Sequence, residues 1–132
     1  MSAVVYEPIP KQIEEVAYLL IGCGITVHRR LGPGYKEPIY HRAMCVELDS
    51  QGISYESEKL VVVSYEGRPV GRHRLDLLVE GCVIGELKCV PIVKALHRMQ
   101  VRSYLKATEL RLGLVMNFNA EVMKNGIKRV VL

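Results

Sequence analysis

His73-Arg74-Leu75-Asp76-Leu77-Leu78-Val79, then Glu80-Gly81, then Cys82-Val83-Ile84-Gly85-Glu86-Leu87-Lys88-Cys89-Val90, is the stretch whose reading decides the fold. Two aliphatic runs flank an acid and a glycine, which reads as a β-hairpin. One acid interrupts the first run, and an acid and a lysine interrupt the second. Buried Asp, Glu and Lys are costly unless paired or bound to a metal, so packing alone gives no reason for them. Side chains alternate along a strand, so Glu86 and Lys88 share a face, about 7 Å apart.

Whether Asp76 joins them depends on the turn. A two-residue loop at 80 and 81 pairs residue 76 with 85 and puts Asp76 on the opposite face. A three-residue connection over 79–81, with Gly81 in the left-handed position of a G1 bulge, pairs 76 with 84 and brings all three to one face. The bulged form is the expected one. Two carboxylates at one spot can hold a hard divalent cation with water completing its shell. An ammonium beside them can orient water or stabilise charge developing on a phosphate. The pattern D-x9-E-x-K resembles the PD-(D/E)XK nuclease superfamily, although acid and E-x-K combinations also arise by chance in strands.

The bulk numbers set the frame. A chain of 132 residues is read as one domain over 1–132, with residues 1–10 as a proline-bearing N-terminal lead. Hydrophobic content of 49% against 24% charge excludes a disordered chain. A net charge of +4 permits a polyanionic partner without requiring one. The four cysteines, 23, 45, 82 and 89, lie in apolar surroundings without C-x-x-C spacing and are expected to be reduced, mostly shielded thiols of a cytoplasmic protein. The longest uncharged run, Val16 to Val27, is too short to span a bilayer, and no signal-peptide layout is expected at the N-terminus.

Along the chain, Ile13, Val16, Ala17, Leu20, Gly24 and Val27 follow helical spacing, so residues 11–30 read as a helix ending at Leu31-Gly32-Pro33-Gly34. His28, Arg29 and Arg30 there suit a helix C-terminus. A second helix opens near Glu37 and stops at Gly52. Two short strands, 53–57 and 60–65, precede the strands at 69–79 and 82–90. Arg68, Arg72, His73 and Arg74 crowd the approach to Asp76, as a solvated strand edge or as contacts to a nucleic-acid backbone. From 93 to 107 helical spacing returns, with His97, Gln100 and Tyr104 close together beside an apolar face of Leu96, Met99 and Ala107. Lys94, Arg98, Arg102 and Lys106 form a separate stripe, read as a solvated face. Strands at 111–118 and 127–132 close the chain, giving the order α-α-β-β-β-β-α-β-β.

Arg30-Leu31-Gly32-Pro33-Gly34, Glu37 and Tyr40 in a G-x-x-E-x-x-Y arrangement, Asp76, Glu86-Leu87-Lys88, Gln100, Tyr104-Leu105-Lys106-Ala107-Thr108 and Gly113 to Phe118 together resemble the GxxExxY family, a branch of the PD-(D/E)XK superfamily. The likeness runs nearly the whole length, in order. One departure is Leu75, where the superfamily's eponymous proline would stand. Q-x-x-x-Y on the helix after the E-x-K strand also resembles RecB-like nucleases.

The resemblance implies an α/β fold, a PD-(D/E)XK-like core with a mixed central sheet flanked by helices. It implies hydrolysis of a nucleic-acid phosphodiester, with DNA ahead of RNA as partner and no membrane. Asp76, Glu86 and the Leu87 main-chain carbonyl would hold Mg²⁺ or Mn²⁺. Lys88 would position water or stabilise the phosphorus, and Glu37 would serve as an outer ligand or water orienter. Gln100, Tyr104, Tyr40 and Arg74 would contact substrate. The other readings are a binding module that keeps the fold without chemistry and a junction-resolving endonuclease, which would require a homodimer with paired sites.

Overall fold

The computed structural model describes residues 7–132; the first six residues of the expected N-terminal lead lie outside it. Helices α1 (Lys11–Leu31) and α2 (Glu37–Ser50) are followed by strands β1 (Tyr55–Tyr65), β2 (Arg68–Val79) and β3 (Val83–Lys88). Helix α3 (Ala95–Thr108), strand β4 (Leu112–Asn117), a short 3₁₀ turn (Met123–Gly126) and strand β5 (Ile127–Val131) complete the chain. The five strands form one sheet in the order β1-β2-β3-β4-β5. Only β3 and β4 run parallel, because α3 is the crossover between them. The mixed sheet between helices is the α/β core expected from the sequence. Among the described residues no helix is long and apolar enough to cross a membrane.

Two layers of core hold the sheet. On one face Ala17, Leu20, Cys23 and Val27 of α1 and Tyr40, Met44 and Leu48 of α2 pack on Leu77, Val79, Val83, Leu87, Leu114 and Met116. On the other, Val101, Tyr104 and Leu105 of α3 cover Leu75, Ile84, Val115 and Val130. Helix α3 can lie close because β4 carries Gly113: a β-carbon there would meet Val101 at 2.5 Å. Leu96 and Met99, expected to face the core, are instead 71% and 62% exposed. The helix buries Val101, Tyr104 and Leu105, and at 100° per residue Leu96 and Met99 point to the opposite side.

Two expectations about strands are corrected. Runs 53–57 and 60–65 merge into one strand that starts at Tyr55, so the order is α-α-β-β-β-α-β-β. The polar interruption that suggested a break is Glu58, in a left-handed conformation at φ 55°. The ladder to β2 continues through it, with Ser57 opposite Leu77 and Lys59 opposite Leu75. The hairpin turn also differs. Its connection is 80–82, with Glu80 (φ 50°) and Gly81 (φ 66°) both left-handed and the Cys82 N–H donating to the Val79 carbonyl at 3.0 Å, the pattern of a type I′ turn. Leu77 therefore pairs with Gly85, and the register carried on sets Asp76 opposite Glu86, where the G1-bulge reading had paired it with residue 84.

All four cysteines are free. Cys23 is buried, and burial pushes its thiol up to about 11; Cys45, Cys82 and Cys89 are only partly shielded.

Candidate functional site

The ladder between β2 and β3 stops at Leu77–Gly85, and the site occupies the place where the two strands part. Twist is concentrated here: Leu75 and Leu77, two residues apart, bury in opposite cores. Asp76 lies between them, across from the left-handed Glu58. One Asp76 carboxylate oxygen accepts the Leu87 N–H at 2.8 Å, taking the role a strand partner would have played. On the other side of β3, the Lys88 carbonyl accepts the Phe118 N–H at 2.9 Å. Main-chain groups alternate in direction along a strand, and the N–H and C=O of one residue point the same way. The Leu87 carbonyl is thus directed into the same gap as the Asp76 carboxylate.

Asp76 and Glu86 are 4% and 5% exposed. The pKa of Glu86 is raised to about 8, first by burial and then by the Asp76 carboxylate, against a smaller opposing effect of Lys88. Its Oε1 is 3.7 Å from the Lys88 ammonium, and its buried Oε2 has no hydrogen-bond partner. A buried carboxylate oxygen left unmatched costs about 1–3 kcal/mol or more. Lys88 is held from the other side by Gln100, whose Oε1 accepts from Nζ at 3.2 Å. Asn117 fixes the chain just beyond: its side chain accepts the Val90 N–H at 3.1 Å and donates to the Val90 carbonyl at 2.8 Å. Sequence reasoning gave Asn117 no role, and its signal was an amide in an otherwise aliphatic strand.

Around this centre the other expected residues divide. Tyr104 is buried, its hydroxyl pushed up to about 12 by burial and then by Glu86 and Asp76, so it keeps its proton. Its ring packs on His73 with centroids 4.6 Å apart. Glu37, on the exposed first turn of α2, has its pKa raised by desolvation and then by Asp76, while Lys88, His41 and Arg74 oppose the shift. It therefore stands within electrostatic reach of the centre. Arg74 is exposed and pairs with Glu58 at 3.3 Å.

Tyr40 is not presented to a substrate. It is fully buried, stacks on Phe118 at 4.6 Å, donates its hydroxyl hydrogen to the Gly32 carbonyl and accepts the Tyr35 N–H at 3.2 Å. It holds the α1–α2 loop in place. Tyr40→Phe is expected to cost about 1–2 kcal/mol in urea unfolding while leaving divalent-ion binding unchanged. A loss of ion binding with intact stability would instead place Tyr40 in the site.

Glu86 also makes the stability of the metal-free protein depend on pH. Its folded pKa, about 8, exceeds the ordinary 4.5, so between those values the folded state binds more protons than the unfolded chain. Stability then falls as pH rises through that window, by an amount on the order of 4 kcal/mol. Urea unfolding of wild type and Glu86→Gln at pH 5.5 and 8.5 measures it. The variant is expected to gain on wild type as pH rises; an equal difference at both pH values contradicts the shift.

Among the described residues no three His, Cys, Asp or Glu side chains are gathered tightly enough to enclose an ion by themselves. The available set is two carboxylates and one main-chain carbonyl on one side of an open gap. Acceptor-only oxygens, one of them unmatched, fit a hard cation that keeps several waters. No curated protein matches the chain. The family description of the PD-(D/E)XK nuclease superfamily matches residues 14–130, which takes in both acids, the lysine and the three helices almost entirely. On this coverage, and with the mixed sheet and the Asp76–Glu86–Lys88 cluster at the parting of β2 and β3, the chain belongs to the PD-(D/E)XK nuclease superfamily.

Proposed function

We propose that the protein is a divalent-metal-dependent nuclease of the GxxExxY type, hydrolysing phosphodiester bonds of nucleic acid, with DNA ahead of RNA. The observation that carries the reading is the buried, unpartnered Glu86 Oε2 beside Asp76, with a lysine held next to Glu86. With both acids ionised the two charges repel in one gap, and a cation joining them removes that cost. Asp76, Glu86 and the Leu87 carbonyl would hold Mg²⁺ or Mn²⁺. When bound, such an ion supplies a Lewis acid that polarises the phosphate and lowers the pKa of water.

The remaining roles belong to the chain itself. Lys88, oriented by the Gln100 amide oxygen, places a positive charge where negative charge grows on the phosphate. Glu37 is accessible at the mouth of the gap, and its raised pKa suits a group that takes a proton from water or orients it. Tyr104 keeps its proton beside Gln100, within electrostatic reach of both acids. Junction resolution by a homodimer would add a second such site in a paired protomer.

Cleavage of labelled duplex, branched and single-stranded DNA, and of matching RNA, with Mn²⁺ and with EDTA, tests the activity. Cutting that requires the ion supports the reading; binding without cutting in Mn²⁺ and Mg²⁺ replaces it with a binding module on the same fold.

A further inference from the structure

A cavity of about 360 Å³ opens between α2 and β1, and apart from Glu58 its lining lies outside the groups used above. It is lined by Pro38, His41, Arg42, Cys45, Ser57 and Glu58. His41 Nε2 is 2.7 Å from Ser57 Oγ. With Nε2 donating, the serine keeps its own hydrogen free for an acceptor in the cavity. Among the described residues Arg42 has no ion-pair partner, while the one acid in the lining, Glu58, is engaged by Arg74 at 3.3 Å. The wall is thus cationic and rich in donors, with its acid already neutralised. Tyr55, whose hydroxyl donates to the Cys45 carbonyl at 3.2 Å, ties β1 to α2 and fixes the cavity's width.

Position gives the cavity its meaning. His41 follows Glu37 by four residues on α2, so the two share a helix face with β-carbons about 5–6 Å apart. The charge of His41 is felt at Glu37, which is itself in reach of Asp76 and Lys88. An anion in the cavity therefore lies about one helical turn from Glu37, the scale on which phosphates follow one another along a strand.

We infer that the cavity is a subsite for the phosphate neighbouring the scissile one, contacted by Arg42 and the Ser57 hydroxyl, with His41 as the residue that orients the serine. The substrate strand then runs along α2 from Glu37 toward Arg42. This rests on the nuclease reading and adds to it a direction and a second contact point.

The test uses a fluorescein-labelled DNA oligonucleotide, with binding followed by anisotropy in Ca²⁺ over a range of salt. Arg42→Ala and Ser57→Ala are each expected to weaken binding by about 3- to 10-fold, and Arg42→Ala to reduce the salt slope by about 0.7–0.9. Calorimetric Mn²⁺ affinity is expected to stay at the wild-type value in both, and Arg42→Lys to recover part of the loss. In the wild type, a neutral methylphosphonate next to the mapped cleavage position should weaken binding by a similar factor, and in Arg42→Ala it should add little. Full additivity of the methylphosphonate and Arg42→Ala, or wild-type binding by Arg42→Ala, overturns the subsite while leaving the nuclease reading intact. Failure of the wild type to bind any oligonucleotide overturns both.

Discussion

Asp76→Ala is expected to lose divalent-ion binding and cleavage together, with the rate falling at least about 10³-fold, or some 4 kcal/mol of transition-state stabilisation. The carboxylate does two jobs in this position. It supplies one of two anionic oxygens groups that face the gap, and it accepts the Leu87 N–H at 2.8 Å, which aims the Leu87 carbonyl into the same gap. Removing it deletes one ligand and releases another. Stability responds less simply than the removal of a repelling charge would suggest. Relief of repulsion with Glu86 is offset by a buried N–H left without an acceptor, at about 1–3 kcal/mol. Glu86→Gln lacks that second penalty, because no hydrogen bond depends on its Oε2. The two substitutions should therefore agree in abolishing ion binding and differ in stability, with Glu86→Gln the more stable at pH 8.5. Calorimetry, cleavage assays and urea unfolding on the same three proteins check this. An Asp76→Ala protein that cuts like wild type would remove the active-site assignment.

Lys88→Ala separates chemistry from ion binding. The ammonium is 3.7 Å from Glu86 and donates to Gln100 at 3.2 Å, with its side chain 17% exposed, so it is fixed near the acids without being a ligand. Its loss should lower the cleavage rate about 10²- to 10³-fold, the range for deleting one preorganised charge or donor at a reacting centre. Mn²⁺ affinity should change by less than tenfold, because two effects oppose. Removing a neighbouring cation favours the ion, while Glu86, no longer helped by Lys88, holds its proton to higher pH. A titration at several pH values distinguishes them: the variant's affinity should fall below wild type near neutral pH and recover as pH rises. Complete loss of Mn²⁺ binding at every pH would make Lys88 a structural partner of Glu86.

How much of this was legible in the residues varies with the range of the interaction. Glu86 and Lys88 are two apart on one strand, and their shared face follows from strand geometry alone. The long apolar periodicity of α1 fixed its extent to within a residue. Asp76 was expected to reach Glu86 and Lys88 through a turn that the structure builds differently. The reading put one left-handed glycine in a G1 bulge, whereas Glu80 joins Gly81 in the left-handed region. A glutamate at positive φ leaves no clear mark in sequence. Glu58 hid β1 for the same reason, since a polar residue amid polar neighbours resembles a turn until the β2 ladder is seen to run past it.

Long-range packing accounts for the rest. Leu96 and Met99 are apolar at helical spacing, yet the sheet takes Val101, Tyr104 and Leu105, and nothing local ranks one stripe over the other. Tyr40 stands in the motif beside Glu37, but its side chain belongs to Phe118 and Gly32, which the fold brings from far along the chain and from the preceding loop. The cavity beneath His41 and Arg42 depends on the contact of α2 with β1, and no spacing announces it.

The central claim is that Asp76 and Glu86 share one divalent ion, and anomalous diffraction from crystals soaked in Mn²⁺ tests it most directly. The account predicts one strong anomalous peak in the gap between β2 and β3, bonded to both carboxylates and the Leu87 carbonyl at about 2.0–2.3 Å, and absent from Glu86→Gln crystals. A gap without anomalous density at millimolar Mn²⁺ and pH 8.5, or a peak held elsewhere with Glu86 Oε2 still unpartnered, would contradict it.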